Sequence, residues 1–332
     1  MRIAVIGGGS FGTALAKLLS EVNHEIVLWC HNPGVARAIS DRRENAIYLP
    51  GVLLPPTLQV TVSLAEAVRG REMLVAMGPS HVMRKVMEQV PPSLSGTPIV
   101  VSAAKGVEEH SHKRMSEVLR EILGPSFAGR IAALSGPSFA REIAAGMPTA
   151  VTVAAEDQAT CQVIQSAFRT PSFRVYSSSD LVGVEIGGAA KNVIAIAAGV
   201  TDGLGLGSSS RAALITRGVA EIGRLVAAMG GEARTVSGLS GLGDIILTCT
   251  GDLSRNRSVG LRIGRGERLQ EILASMKMVA EGVRNSTSIC QLAKGTRTDM
   301  PIAEQVRQLL HEDKPARQVL GEFMRRESKP EF

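Results

Sequence analysis

A chain of 332 residues, 44% hydrophobic and 20% charged, is long enough for two domains that each bury a core. Its formal net charge of +6 favours anionic partners, but 3% aromatics and the lack of a dense Lys/Arg block argue against nucleic acid. Cys30, Cys161, Cys249 and Cys290 are scattered with no C-x-x-C pair, which disfavours metal and redox motifs and suits a reducing cytoplasm. Met1-Arg2 leads directly into a strand-like run, so no secretory signal is expected. No apolar run is expected to approach the roughly 18 residues of a membrane helix.

The first element is the apolar run Ile3-Ala4-Val5-Ile6, which reads as a buried strand. It enters the turn Gly7-Gly8-Gly9-Ser10-Phe11-Gly12 and then the helix-like stretch Thr13 to Leu19. Strand, G-x-G-x-x-G and helix in that order form the context of a dinucleotide fingerprint. Gly7 permits the tight turn, Gly9 lets the backbone approach a pyrophosphate, and Gly12 lets helix and strand pack closely. The helix N-terminus offers N–H groups and partial positive charge to that pyrophosphate.

Further strand-like runs follow at 25–30, 58–62, 72–77, 98–102, 130–134, 148–154 and 172–177, with helix-like stretches such as 79–90 and 156–168 between them. This alternation predicts a doubly wound parallel sheet. The run from Glu25 to Trp29 ends in Cys30-His31-Asn32, without the carboxylate that grips a ribose 2′-hydroxyl in NAD sites. A 2′-phosphate is therefore tolerated there, with His31 placed to hydrogen-bond it and Arg37 to add positive field. After Ser177-Ser178-Ser179-Asp180 the pattern becomes helical, and Ser179 or Asp180 can cap the first helix. The expected organisation is an α/β Rossmann-type dinucleotide-binding domain over 1–179 and an all-helical domain over 180–332.

Ligands of doubly wound sheets sit beyond the carboxyl ends of the strands. Three polar turns fall there: Gly78-Pro79-Ser80, Ala104-Lys105-Gly106 and Gly136-Pro137-Ser138. Lys191 stands inside Leu181 to Ala198, a segment apolar around most of its circumference. A buried ammonium there is either a proton-transferring group with a lowered pKa or half of an ion pair, with Glu185 or a more distant carboxylate. Downstream, Gly241-Leu242-Gly243-Asp244 suits gripping hydroxyls or capping a helix. Ser254-Arg255-Asn256-Arg257 matches a phosphate, or is a polar surface loop. Gly-Lys-Ser/Thr and H-E-x-x-H are absent, which disfavours P-loop and zincin chemistry.

Taken together, these segments closely resemble the bacterial NAD(P)-dependent glycerol-3-phosphate dehydrogenases. The series also includes Asn45-Ala46-Ile47-Tyr48-Leu49-Pro50, Pro79-Ser80-His81 and Ser135-Gly136-Pro137-Ser138-Phe139-Ala140. It continues through Gly187 to Ala195, Arg211 to Gly218, Thr248-Cys249-Thr250 and Val279-Ala280-Glu281-Gly282. The resemblance implies that Lys191 transfers the proton. It implies substrate contacts at Lys105, Gly136, Ser138, Asp244, Ser254, Arg255 and Asn256. Cofactor contacts are implied at Ser10, Phe11, His31, Lys105, Ala140, Arg255, Val279 and Glu281, beside Gly7, Gly9 and Gly12 of the fingerprint.

It further implies NAD(H) or NADP(H) as cofactor with no metal, and interconversion of glycerol 3-phosphate and dihydroxyacetone phosphate for phospholipid synthesis. A cytoplasmic homodimer is implied, without nucleic-acid binding or membrane insertion. Two departures stand out: Met77-Gly78 where the family more often has a β-branched pair, and Ser208-Ser209-Ser210 before Arg211. The alternatives are a reductase of the 3-hydroxyacid or 6-phosphogluconate type and a nucleotide-sensing regulator with a dead site.

Overall fold

The computed structural model describes residues 1–276 and 278–325. Every strand-like run forms a strand: β1 (Arg2–Ile6), β2 (Glu25–Trp29), β3 (Gln59–Thr61), β4 (Met73–Ala76), β5 (Ile99–Ser102), β6 (Ile131–Ser135), β7 (Thr149–Ala155) and β8 (Phe173–Ser178). They make one eight-stranded sheet in the order 3-2-1-4-5-6-7-8. The central strands β4, β5 and β6 are buried throughout, as continuous apolar runs require when helices cover both faces. One face carries α1 (Ser10–Ser20), α2 (Pro33–Arg42), α6 (Ala140–Ala144) and α7 (Gln158–Phe168), through Leu15, Leu19, Ile39, Ile143 and Ile164. The other carries α3 (Leu64–Val68), α4 (Ser80–Met87) and α5 (Met115–Leu123), through Leu64, Met83, Met87 and Leu119.

The all-parallel expectation fails at one pair. β6 and β7 run antiparallel, with Leu134 opposite Val153. A parallel return needs a crossover with a helix laid across the sheet, whereas residues 136–148 carry only the short α6. β7 and β8 are parallel again, joined by α7. The order reverses around β1, which pairs with β2 on one side and β4 on the other. The crevice of such a sheet opens at that point, beyond the carboxyl end of β1, where the glycine turn lies.

Beyond β8 the described residues contain helices and no strand: α8 (Leu181–Gly203), α9 (Gly207–Ala228), α10 (Asp244–Thr250), α11 (Arg255–Gly264), α12 (Leu269–Ser275), α13 (Glu281–Gly295), α14 (Pro301–His311) and α15 (Ala316–Met324). Residues 326–332 of the expected helical region lie outside the described residues. Asp180, rather than Ser179, caps α8 by accepting from the Gly183 N–H at 2.8 Å. α8 also corrects the expectation about apolar runs. Its 23 residues are long and apolar enough to cross a membrane, but 94% of its most apolar window is buried inside the protein. It is the central pillar of the helical half.

α8 and α11 cross backbone to backbone. A Cβ on Gly199 would stand 2.1 Å from the Arg257 carbonyl oxygen, and one on Gly260 would stand 1.9 Å from that of Ile196. This contact sets the first half of α11 beside the last third of α8. The Ser208-Ser210 departure falls in the first turn of α9, and Arg211 after it pairs with Asp202 at 2.7 Å. Asp202 also holds Arg257 at 2.8 Å.

Candidate active site

The glycine turn is shaped as its spacing demands. Gly7 has φ of +130°, and a Cβ on Gly12 would meet the Gly7 carbonyl oxygen at 1.9 Å. Among the described residues a Cβ on Gly9 would meet nothing within 4 Å beyond its chain neighbours, so the backbone there borders open space at the start of α1. That is the cradle a pyrophosphate needs, and the turn fits a dinucleotide. The Asn45 side-chain amide braces it by donating to the Gly8 carbonyl at 2.9 Å and to Thr13 Oγ1 at 2.8 Å. Ser10 Oγ donates to the Tyr48 carbonyl at 2.5 Å and lies 3.2 Å from Met278 Sδ. His31 is exposed just past β2, its ring 5.9 Å from that of Trp29, and neighbouring Asn32 is engaged in capping α2. Ala140 begins α6 and packs against the core of the sheet.

The second constellation joins the sheet to the helical half. β5 delivers Lys105 and β6 delivers Gly136 and Ser138. A π-helical turn over Leu239–Gly243 runs into α10 and places Asp244 at its first position. The Lys105 ammonium donates to the Gly136 carbonyl at 2.8 Å, to Asp244 Oδ2 at 2.7 Å and, more distantly, to Ser138 Oγ at 3.4 Å. It also stands 5.8 Å from the centre of the Phe11 ring. Lys191 donates to the other oxygen of the same carboxylate, Asp244 Oδ1, at 2.6 Å and to Thr248 Oγ1 at 2.7 Å. Thr248 Oγ1 donates its hydrogen bond to the Asp244 backbone carbonyl at 2.6 Å, which leaves its oxygen free to accept from lysine.

Of the two carboxylates considered for Lys191, the structure selects the distant one. Glu185 instead accepts from Arg114 at 2.8 Å and from the Ser116 N–H at 2.7 Å. Burial lowers the Lys191 pKa to about 8, and the Lys105 charge pushes the same way against the pull of Asp244. Burial alone would raise the Asp244 carboxyl, but the two ammonium groups outweigh it and hold the pKa below the ordinary aspartate value.

The Ser-Arg-Asn-Arg cluster divides its tasks. Ser254 caps α11 by accepting from the Arg257 N–H at 3.2 Å. Asn256 is buried; its amide donates to Asn192 Oδ1 at 2.8 Å and accepts from the Gly282 N–H at 2.9 Å. Arg255 stays exposed and donates to the Val279 carbonyl at 2.8 Å. Glu281 starts α13 near Arg255 and accepts from the Ser80 N–H at 3.4 Å. Arg255, Val279 and Glu281 thus form one wall, facing α4 from the helical side.

Family models for the N-terminus and C-terminus of NAD-dependent glycerol-3-phosphate dehydrogenase match residues 2–161 and 180–321. The chain belongs to the NAD-dependent glycerol-3-phosphate dehydrogenase family. A glycerol-3-phosphate dehydrogenase (NAD(P)+) of Geobacter sp. (strain M21) is 53% identical over 330 residues, covering 99% of this chain and 98% of that one. A crystal structure of glycerol-3-phosphate dehydrogenase from Coxiella burnetii has a TM-score of 0.93 and 36% identity, covering 98% of this chain and 99% of that one. A ketopantoate reductase from Ralstonia eutropha shares the fold alone, at 15% identity and a TM-score of 0.61 over 98% of this chain and 100% of that one.

Sequence reasoning within this dehydrogenase family passed over several side chains at the site. Thr248 lies four residues after Asp244 on α10, a spacing that places both on one helix face. Gly8, quoted in the turn but given no task, is a backbone case, since a Cβ there would stand 2.3 Å from Cys30 Sγ. Asn192 follows Lys191 directly and donates to the Lys105 carbonyl at 3.0 Å. Asn285 does the same from α13, and nothing in its sequence surroundings signals that role.

Proposed function

We propose that the protein interconverts dihydroxyacetone phosphate and sn-glycerol 3-phosphate with NAD(P)H and NAD(P)+, using Lys191 as its acid and base. The observation that carries this reading is a buried lysine with a pKa of about 8, held on Asp244 and Thr248 where the strand ends meet the helical half. The cofactor, when bound, supplies or accepts the hydride. Gly7, Gly9, Ser10, Phe11 and Gly12 would hold its pyrophosphate side, with His31, Ala140, Val279 and Glu281 along the rest of the cleft.

The protein's own part is positioning and proton transfer. In the reducing direction the Lys191 ammonium gives a proton to the C2 oxygen as the carbonyl becomes an alkoxide. In the reverse direction the neutral amine takes the hydroxyl proton. Two of the ammonium's three N–H groups have fixed acceptors, so the third is the one offered to substrate. Lys105, Asp244, Gly136 and Ser138 grip the hydroxyl end. Arg255 binds the phosphate with its guanidinium, and Ser254 and Asn256 hold Arg255's helix in place. Residues 1–179 and 180–332 act as cofactor and substrate domains that close on each other and exclude water.

The test is NAD(P)H oxidation with dihydroxyacetone phosphate beside dihydroxyacetone and a panel of oxo acids. The triose phosphate should be turned over far faster than dihydroxyacetone or any oxo acid. Preference for an oxo acid, or no turnover by protein that binds NAD(P)H, would overturn the reading. The resemblance also supports a cytoplasmic homodimer that feeds glycerophospholipid synthesis. Light scattering on purified protein tests the dimer, and loss of phospholipid in a depleted strain tests the pathway.

A further inference from the structure

The carbonyl oxygen of Lys105 accepts from two side-chain amides on different helices. Asn192 Nδ2 reaches it from α8 at 3.0 Å, and Asn285 Nδ2 reaches it from α13 at 3.0 Å. Asn285 is only 1% exposed, and the same amide lies 3.3 Å from the Ala189 carbonyl, so it ties α13, α8 and the end of β5 together. The peptide it grips has no slack. A Cβ on Gly106 would stand 2.9 Å from Asn285 Oδ1 and 2.4 Å from Ser80 Oγ. Residues 103–106 belong to no helix or strand, so these side-chain donors do the work a ladder does elsewhere.

We propose that Asn285 is a positioning residue, which fixes the Lys105 ammonium against Asp244 by holding Lys105's own carbonyl oxygen. A lysine carries its charge on a flexible four-carbon stem, so the charge has a defined place only when the backbone beneath it does. A single donor would leave that peptide free to swing about one hydrogen bond. Two donors from different helices fix it. Glu281 and Asn285 stand four residues apart on α13 and so share a face, which makes the start of that helix a polar stripe over the cleft.

The proposal rests on reading Lys105 and Lys191 as site residues. It has a consequence that mere packing lacks. Lys191 is faced by Asp244 and Cys249 of α10, by Lys105 and by Glu281 of α13. Releasing Lys105 withdraws a positive charge from Lys191 and leaves Asp244 more fully to it. Both changes raise the lysine's proton affinity.

The experiment measures kcat/KM for dihydroxyacetone phosphate across pH in Asn285→Ala, in Asn285→Asp, which keeps the size but not the donor, in Lys105→Ala and in the double alanine variant. Melting temperatures are recorded alongside. Each Asn285 variant should lose roughly 10- to 100-fold, the scale of a misplaced group, and its alkaline limb should move to higher pH. In the Lys105→Ala background, Asn285→Ala should cost nothing more. Multiplicative losses in the double variant, or an unmoved limb with activity merely following melting temperature, would overturn the proposal. Full activity in Lys105→Ala would instead remove the site reading on which it stands.

Discussion

The ammonium of Lys191 lies 2.6 Å from Asp244 Oδ1, with 7% of the lysine side chain and 1% of the aspartate side chain exposed. Burial lowers the lysine's pKa to about 8, so the proposed role of Lys191 as acid and base carries a pH signature. kcat/KM for ketone reduction, which needs the ammonium, should be level below about pH 8 and fall above it. For glycerol 3-phosphate oxidation, which needs the amine, it should rise through the same pH. Lys191→Met should abolish both limbs and lower kcat by roughly 100-fold or more, with NAD(P)H binding kept. Folded Lys191→Met protein that turns over normally would remove lysine from the mechanism.

Asp244 is the counter-charge for both Lys191 and Lys105. Asp244→Asn would leave two close ammonium groups without a carboxylate, and the mutual repulsion would favour the neutral amine at Lys191. The reduction limb should therefore move to lower pH rather than disappear. Stability should fall as well, by about 3–5 kcal/mol, the usual cost of stranding a buried charge. A limb that stays where it is in Asp244→Asn would show that the carboxylate does not set the lysine's proton affinity.

The glycines of the first turn separate folding from binding. Gly9→Ala adds a methyl group to a space that, among the described residues, holds no atom within 4 Å beyond its chain neighbours, so the melting temperature should hardly change while NAD(P)H binding is lost. Gly12→Ala drives a methyl group to 1.9 Å from the Gly7 carbonyl oxygen and should destabilise the protein itself. Fluorescence titration with NADPH and thermal melts read the two effects separately. Equal melting losses in both variants would mean that the Gly9 side of the turn is filled by protein.

What could be read from the sequence follows physical range. The strands were legible because central strands of a covered sheet are unbroken apolar runs, and the fingerprint because its glycines act within six residues. The antiparallel β7 was not legible, since strand direction depends on the path of residues 136–148 rather than on β7's own composition. Lys191 announced itself as a charge in an apolar helix, yet its partner on α10 and the hold of Asn285 on Lys105 cross the whole cleft. Such pairings come from tertiary packing, such as the glycine-lined crossing of α8 and α11, and leave no local trace.

Arg255 should act through the substrate's phosphate. Its guanidinium donates to the Val279 carbonyl at 2.8 Å, and desolvation holds its pKa below the ordinary arginine value against the pull of Glu281. A hydrogen bond to a charged group contributes about 1.5–3 kcal/mol, so Arg255→Ala should lower kcat/KM for dihydroxyacetone phosphate by roughly 10- to 150-fold. Dihydroxyacetone, without the phosphate, should be a poor substrate of wild type and lose little further in the variant. Equal losses on both substrates would assign Arg255 to the cofactor or to the wall it shares with Val279.

Cofactor choice should be open towards NADPH. β2 ends at Trp29, and the next residues are Cys30, His31 and Asn32. The Asn32 side chain accepts from the Gly34 N–H at 2.8 Å, so it caps α2 instead of reaching for a ribose. His31 is exposed, with its ring against Trp29 and no carboxylate following it in the chain before Asp41. An NAD site uses a carboxylate here to hold the 2′-hydroxyl, and that carboxylate also repels a 2′-phosphate. With neither action available, NADPH should be used at least as well as NADH. Placing the missing charge by His31→Asp should shift the ratio of kcat/KM values towards NADH by roughly 10-fold, a modest effect because the position is open to solvent. A native preference for NADH that His31→Asp leaves unchanged would show that the end of β2 does not select the cofactor.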